Sequence, residues 1–309
     1  MMKNLYAILF LLIFGLMNSD LKAQQIPQFR HAVFGQYYSN PAYAFDNYKP
    51  DIMLNHRSQW VGFEGAPTTS SLSGTYRFMD DMAAGLTVSN DLIGATRNLL
   101  FNLSYAYQLE INREWRMSFG IAWSIMQAQL DGSMMDLYDE DDELVSASLS
   151  GKSWKPDANA GIMLNNSSLY AGLSAMQLFE SKFRLYAENS GSIHAKRHYF
   201  FTGGGHFKAG RQAMIHASIL TEFASGGPLR FDLTGILEYN DAMLAGLTYS
   251  LGDAIVLNVG YQYKEFLFLY SYDIVTSRMM SASSGAHEIT LAYFLSRGQK
   301  KSNNYKPMF

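Results

Sequence analysis

Apolar residues recur at every second position in run after run beyond Asp51, and this period of two limits the possible folds more than any other feature of the chain. Between Arg97 and Leu109, Phe101, Leu103, Tyr105, Tyr107 and Leu109 alternate with Asn102, Ser104, Ala106 and Gln108. Successive side chains of a strand point to opposite faces, so such a segment has one greasy face and one small or polar face. The same rhythm returns at Leu229 to Tyr239, Ile255 to Tyr263 and His287 to Leu295. These segments suit a β-sandwich or a β-barrel.

Spacing separates the two. Fourteen candidate strands fall near 51–59, 67–77, 82–90, 97–109, 114–130, 155–164, 169–177, 193–207, 211–222, 229–239, 242–249, 254–263, 265–273 and 285–295. Connections after even-numbered strands are tiny, as at Asn165 to Ser168, Asn240-Asp241 and Lys264. Those after odd-numbered strands are mostly longer, including 131–154, 178–192 and 274–284. Even strand number and alternating short turns and long loops mark an outer-membrane barrel. The expectation is therefore an all-β, transmembrane, antiparallel up-and-down barrel, with a secreted two-sheet β protein as the competing reading. Tyr and Trp at strand ends (Trp60, Tyr76, Trp115, Tyr239, Tyr249, Tyr263) suit an interfacial girdle.

The first 23 residues read as an export address. Lys3 precedes a run of about a dozen apolar residues from Leu5 to Leu16, and Ala23 offers a cleavage position before Gln24. The uncharged stretch Ala158 to Phe179 is interrupted by Asn165-Asn166-Ser167-Ser168, which fits two strands around a turn better than a spanning helix. The domain reading is a signal peptide over 1–23, an N-terminal periplasmic segment over 24–50, the barrel over 51–295 and a polar, Lys-rich tail over 296–309.

Chemistry-bearing motifs are few. Cysteine is absent, excluding disulfides, thiolate metal sites and thiol nucleophiles. With 24 Lys and Arg against 27 Asp and Glu, the chain has no basic footprint for nucleic acid. His194, His198 and His206 share parity on one candidate strand, but the outer two would lie roughly 40 Å apart, too far for one ion. Asp139 to Glu143 is acidic without the spacing of a calcium loop. Ser150-Gly151-Lys152-Ser153 lacks the earlier glycine of a phosphate loop, and no nucleophile elbow is present. No catalytic, cofactor or metal residue is assigned, and the chain is expected not to be an enzyme.

Two segments go beyond generic barrel patterning: Gln28-Phe29 through Asn40-Pro41-Ala42-Tyr43-Ala44, and His56-Arg57-Ser58-Gln59-Trp60-Val61-Gly62-Phe63-Glu64-Gly65-Ala66-Pro67. They resemble the PorP/SprF family of outer-membrane proteins of Bacteroidota. Weaker likeness continues through Ser118-Phe119-Gly120, Arg197-His198-Tyr199-Phe200, Phe231-Asp232-Leu233 and Gly285-Ala286-His287-Glu288-Ile289. The tail beyond Leu295 departs from the family pattern. The resemblance implies a role in type IX secretion or gliding motility, with a secreted adhesin-like protein, periplasmic ring components, or both as partners alongside outer-membrane lipid. Candidate structural or partner-contact residues are Asn40, Pro41, Arg57, Gln59, Trp60, Gly62, Glu64, Gly65 and Pro67. Arg57 and Gln59 are expected to point inward if Trp60 meets lipid, with Glu64 as the counter-charge of Arg57. The alternative function is a porin or transporter of small or hydrophobic solutes, which requires an open lumen.

Overall fold

The computed structural model describes residues 26–27, 29–46, 49–131, 150–183, 193–225, 227–277 and 283–295. The leader, Gln28, the acidic run Asp139 to Glu143 and the tail 296–309 lie outside the described residues.

Among the described residues sixteen strands follow one another: β1 (Ile52–Ser58), β2 (Thr68–Arg77), β3 (Met82–Ile93), β4 (Thr96–Glu110), β5 (Arg116–Asp131), β6 (Ser150–Asn165), β7 (Leu169–Met176), β8 (Lys182–Phe183), β9 (Ile193–His194), β10 (His198–Lys208), β11 (Ala213–Ala224), β12 (Arg230–Tyr239), β13 (Met243–Ser250), β14 (Ala254–Tyr263), β15 (Phe266–Val275) and β16 (Ala286–Tyr293). All but β8 and β9 form one closed antiparallel barrel of fourteen strands, each paired with its neighbours in chain order. The first and last strands meet at a seam where Ile52 lies opposite Tyr293 and Arg57 opposite Glu288. β8 and β9 pair with each other in the connection between β7 and β10.

The alternation read from the sequence is the alternation of the wall. In β14, Ile255, Leu257, Val259 and Tyr261 face outward while Val256, Asn258 and Gln262 are buried. Outward side chains form the apolar surface that lipid requires, and closure leaves no unpaired strand edge in the bilayer. Connections 78–81, 111–115, 166–168, 209–212, 240–242 and 264–265 gather at one end, together with the start of β1 and the end of β16. Asn240 and Asp241 both adopt positive φ, 54° and 51°, as a tight hairpin demands. At the other end lie 59–67, 94–95 and 251–253, together with the ends of β5, β7, β11 and β15 and the starts of β6, β10, β12 and β16. Short turns face the periplasm in barrels of this kind, so the loop end is the outer face.

Three sequence readings need correction. β6 begins at Ser150, five residues before the expected 155, so Gly151-Lys152-Ser153 lies in a wall strand paired with β5. His194 sits on β9, whereas His198 and His206 belong to β10; residues 195–197 belong to neither strand, so the three histidines do not share one. Finally, residues 29–46 are not periplasmic. They fill the barrel, as a short helix (Ala32–Gly35) and two 3₁₀ turns (Gln36–Tyr38 and Pro41–Phe45).

Candidate functional site

The inner wall is polar, and the N-terminal segment is what satisfies much of it. Serine, threonine, asparagine and acidic side chains project inward from nearly every strand and are buried. Buried polar groups without partners are costly, so an occupant must supply hydrogen bonds around the whole circumference. Tyr37 bonds Ser104 on β4 at 2.5 Å, Tyr43 bonds Thr202 on β10 at 2.6 Å, and Gln36 donates to the Tyr170 hydroxyl on β7 at 2.6 Å. His31 lies between Ser271 and Thr290, 2.5 Å from each hydroxyl. Ile26 packs with Met176 and Phe200 near the loop end, while Lys49 reaches Thr75 near the turn end, so the segment traverses the lumen.

Asn40 and Pro41 start the second 3₁₀ turn. The Asn40 side-chain oxygen accepts from the Ala42 amide at 2.9 Å, and proline at the next position needs no amide partner there. The same side chain donates to the carbonyls of Ile162 and Leu173, at 3.1 and 3.3 Å, fastening the turn to β6 and β7. Inward glycines let the segment approach this closely. A Cβ on Gly120 would stand 2.3 Å from the Ala42 nitrogen, and one on Gly161 only 2.1 Å from the Asn40 oxygen. Gly120→Val is therefore expected to unseat the turn and cost about 1 to 3 kcal/mol through overpacking. Gly235→Val, whose site has no atom within 4 Å, provides the matched control. The temperature at which the folded barrel loses its compact migration in unheated gel samples should fall for the first variant and stay constant for the second.

Arg57 points inward, as expected, and is 2% exposed. Its guanidinium donates to Asp273 at 2.7 Å and to Glu288 at 3.4 Å. Glu64, the counter-charge expected from the sequence, is exposed on the loop and does not pair with Arg57. Arg30 shares both acceptors: its Nε donates to the same Asp273 oxygen at 2.8 Å and its backbone amide to Glu288 at 2.8 Å. Arg30 further pairs with Asp232 and Asp253 and donates to Ser250 at 3.0 Å. The guanidinium, which is not deprotonated in proteins, is thus matched by carboxylates inside the barrel. Sequence reasoning missed Arg30 altogether; its signal was an isolated Arg in the first motif segment, with inward-parity acids far along the chain.

The rest of the second motif shapes the first outer loop. The Gln59 amide donates to the Pro67 carbonyl at 2.9 Å, closing the loop just above β1 and β2. Trp60, half-buried, adopts φ 49°, and Gly62 and Gly65 adopt 95° and 71°, a left-handed run that folds the loop back on itself. Val61 exchanges two backbone hydrogen bonds with Ser284 and Gly285, both at 2.9 Å, and the Gly94 amide donates to Gly65 at 2.9 Å. The loop is thus tied to the connection before β16 on one side and to the β3–β4 turn on the other.

Elsewhere in the lumen, His206 and His216 share a 2.6 Å hydrogen bond and His216 bonds Glu238 at 2.7 Å, while His198 bonds Glu222 at 2.7 Å. These are wall groups paired across adjacent strands. Among the described residues, no group of three or more histidines and carboxylates is arranged to hold a metal ion.

The family model described as type IX secretion system membrane protein PorP/SprF matches residues 21–293. No curated protein matches the chain. Among solved structures, similarity extends to a FadL homologue of Pseudomonas aeruginosa, at 11% identity and TM-score 0.48 over 88% of this chain and 99% of that one. The deltaS2S3 mutant of TodX, a monoaromatic hydrocarbon channel, is 10% identical with TM-score 0.46 over 86% of this chain and 93% of that one. The NanC porin is 6% identical with TM-score 0.44 over 79% of this chain and all of that one.

Proposed function

This chain belongs to the PorP/SprF family of type IX secretion membrane proteins, and from that membership and the filled lumen we propose that it works by protein contact rather than by catalysis or passage of solute. In this reading it is an outer-membrane component or accessory of type IX secretion or gliding motility that assists export or surface anchoring of a secreted, adhesin-like partner. The observation that carries the reading is the N-terminal segment, hydrogen-bonded around the inner wall and clamped by Arg30 to Asp232, Asp253, Asp273 and Glu288. A porin needs an open path at that place. In this reading periplasmic ring components would meet the barrel from the turn side.

Deleting the gene tests the proposal. One secreted or surface-displayed protein should disappear from the cell surface, together with spreading or adhesion, while outer-membrane permeability to small solutes stays unchanged. An intact set of surface proteins would overturn it. In the same cells the barrel should be recovered from outer membranes beginning at Gln24; recovery with Met1 intact would refute processing after Ala23.

A further inference from the structure

Outward side chains on the first four strands change character toward the loop end. On β1 the apolar Ile52 and Leu54 give way to His56 and Ser58, and on β2 Tyr76 and Leu72 give way to Ser70 and Thr68. Ser70 lies opposite both His56 and Asn90, and Arg97 donates to Asn90 at 2.7 Å, so these polar groups form one belt across neighbouring strands. The belt marks the upper limit of the lipid-facing band. From Leu109 to Leu99 on β4 the outward apolar run covers ten residue steps, which at about 3.3 Å each and the usual tilt is roughly the 25 Å of such a band.

Apolar residues reappear above the belt. Val61 is 36% exposed and Phe63 51%, on the loop of the second motif, and Leu92 and Ile93 are exposed beside the turn stitched to Gly65. Between them Glu64 is exposed and makes no ion pair among the described residues. The backbone bonds of Val61 and Gly65 hold this arrangement ready-made, with Trp60 kept in the left-handed region that ordinarily favours glycine. Exposed apolar side chains gathered beside a polar belt are the mark of an interaction surface, and a carboxylate at its centre favours a protein of opposite charge over lipid tails.

We infer that Val61, Phe63 and Glu64, flanked by Leu92 and Ile93, form an outer-face docking patch for a protein partner presenting apolar side chains around a Lys or Arg. The inference rests on the proposed secretion role and names the surface through which it acts. The loop would seat the partner beside the barrel wall without opening the lumen, and the charge of Glu64 would fix its register.

The test compares three strains with the wild type by shaving proteins from whole cells and quantifying them: the gene deletion, the double variant Phe63→Ser/Glu64→Lys, and the conservative variant Phe63→Leu. The double variant should lower the surface protein lost in the deletion strain at least tenfold, with barrel level and compact migration unchanged, and Phe63→Leu should retain it. If the deletion removes a surface protein that the double variant keeps, the patch is refuted and the secretion role stands. If the deletion removes none, the secretion role itself fails. Purified Phe63→Trp protein in vesicles containing brominated phosphatidylcholine separates a lipid occupant, because strong quenching of the emission gained over wild type would place the loop in the bilayer and overturn the inference. No additional quenching is expected.

Discussion

Excising residues 26–46 should turn a barrel that conducts little into an open pore. Eight-stranded barrels are filled by their own side chains and sixteen-stranded ones leave an aqueous channel, so a fourteen-stranded wall without its occupant should conduct roughly tenfold more than the intact protein. Protein refolded in detergent, which bypasses assembly in the cell, provides the measurement in planar bilayers. The intact chain should show only brief, small events, and the excised form long-lived openings with cation preference, since Asp232, Asp273 and Glu288 would lose the Arg30 guanidinium and amide that now neutralise or bind them. Large, steady channels from the intact chain would move the porin reading to first place.

Arg57→Ala should be the most damaging single substitution in the second motif. The side chain is fully enclosed and holds Asp273 and Glu288 at 2.7 and 3.4 Å. Removing one partner of a buried ion pair leaves an uncompensated charge, which costs about 3 to 5 kcal/mol. Arg30 continues to hold both carboxylates, which places the expected loss toward the lower end of that range. Glu64→Ala, by contrast, removes an exposed charge, and exposed pairs contribute at most about 1 kcal/mol each. Urea titration of compact migration should show a lower midpoint for Arg57→Ala and an unchanged one for Glu64→Ala. Equal effects would mean that the Arg57 cluster does not carry the stability assigned to it.

Wall and occupant differed in how far the sequence disclosed them, and the difference is physical. A strand that meets lipid on one side and polar groups on the other must write its period into the chain, so Phe101 to Leu109 could be read directly. Strand ends were less legible where apolar residues ran past the wall: β3 continues to Ile93 and leaves only Gly94 and Ala95 before β4. The segment 29–46 carries no period, because it is surrounded by wall on every side and each residue meets a different partner. Asn40-Pro41 stood out as a motif, but nothing local shows that Asn40 donates to carbonyls at 162 and 173. Arg57 could be placed inward by parity, yet its partners are 216 and 231 positions away, and nearby Glu64 was the wrong choice.

The clamp on Arg30 lies across the seam where the barrel closes. Arg57 belongs to the first strand, Glu288 to the last, Asp273 to the one before it, and Arg30 to the segment they enclose. Closing the wall and seating its contents are consequently one event. Because Ile26 reaches the loop end while Asp51 stays at the turn end, the segment has to be laid along the inside of the curling sheet before β16 finds β1. Threading it afterwards would drag Arg30 through a finished, hydrogen-bonded interior. The final strand pairing thus proofreads the earliest part of the chain: with the segment missing or misplaced, Arg57 alone faces Asp273 and Glu288 across the join, one guanidinium instead of two. Assembly machinery that releases only closed barrels would then retain such chains, so empty pores should seldom reach the outer membrane.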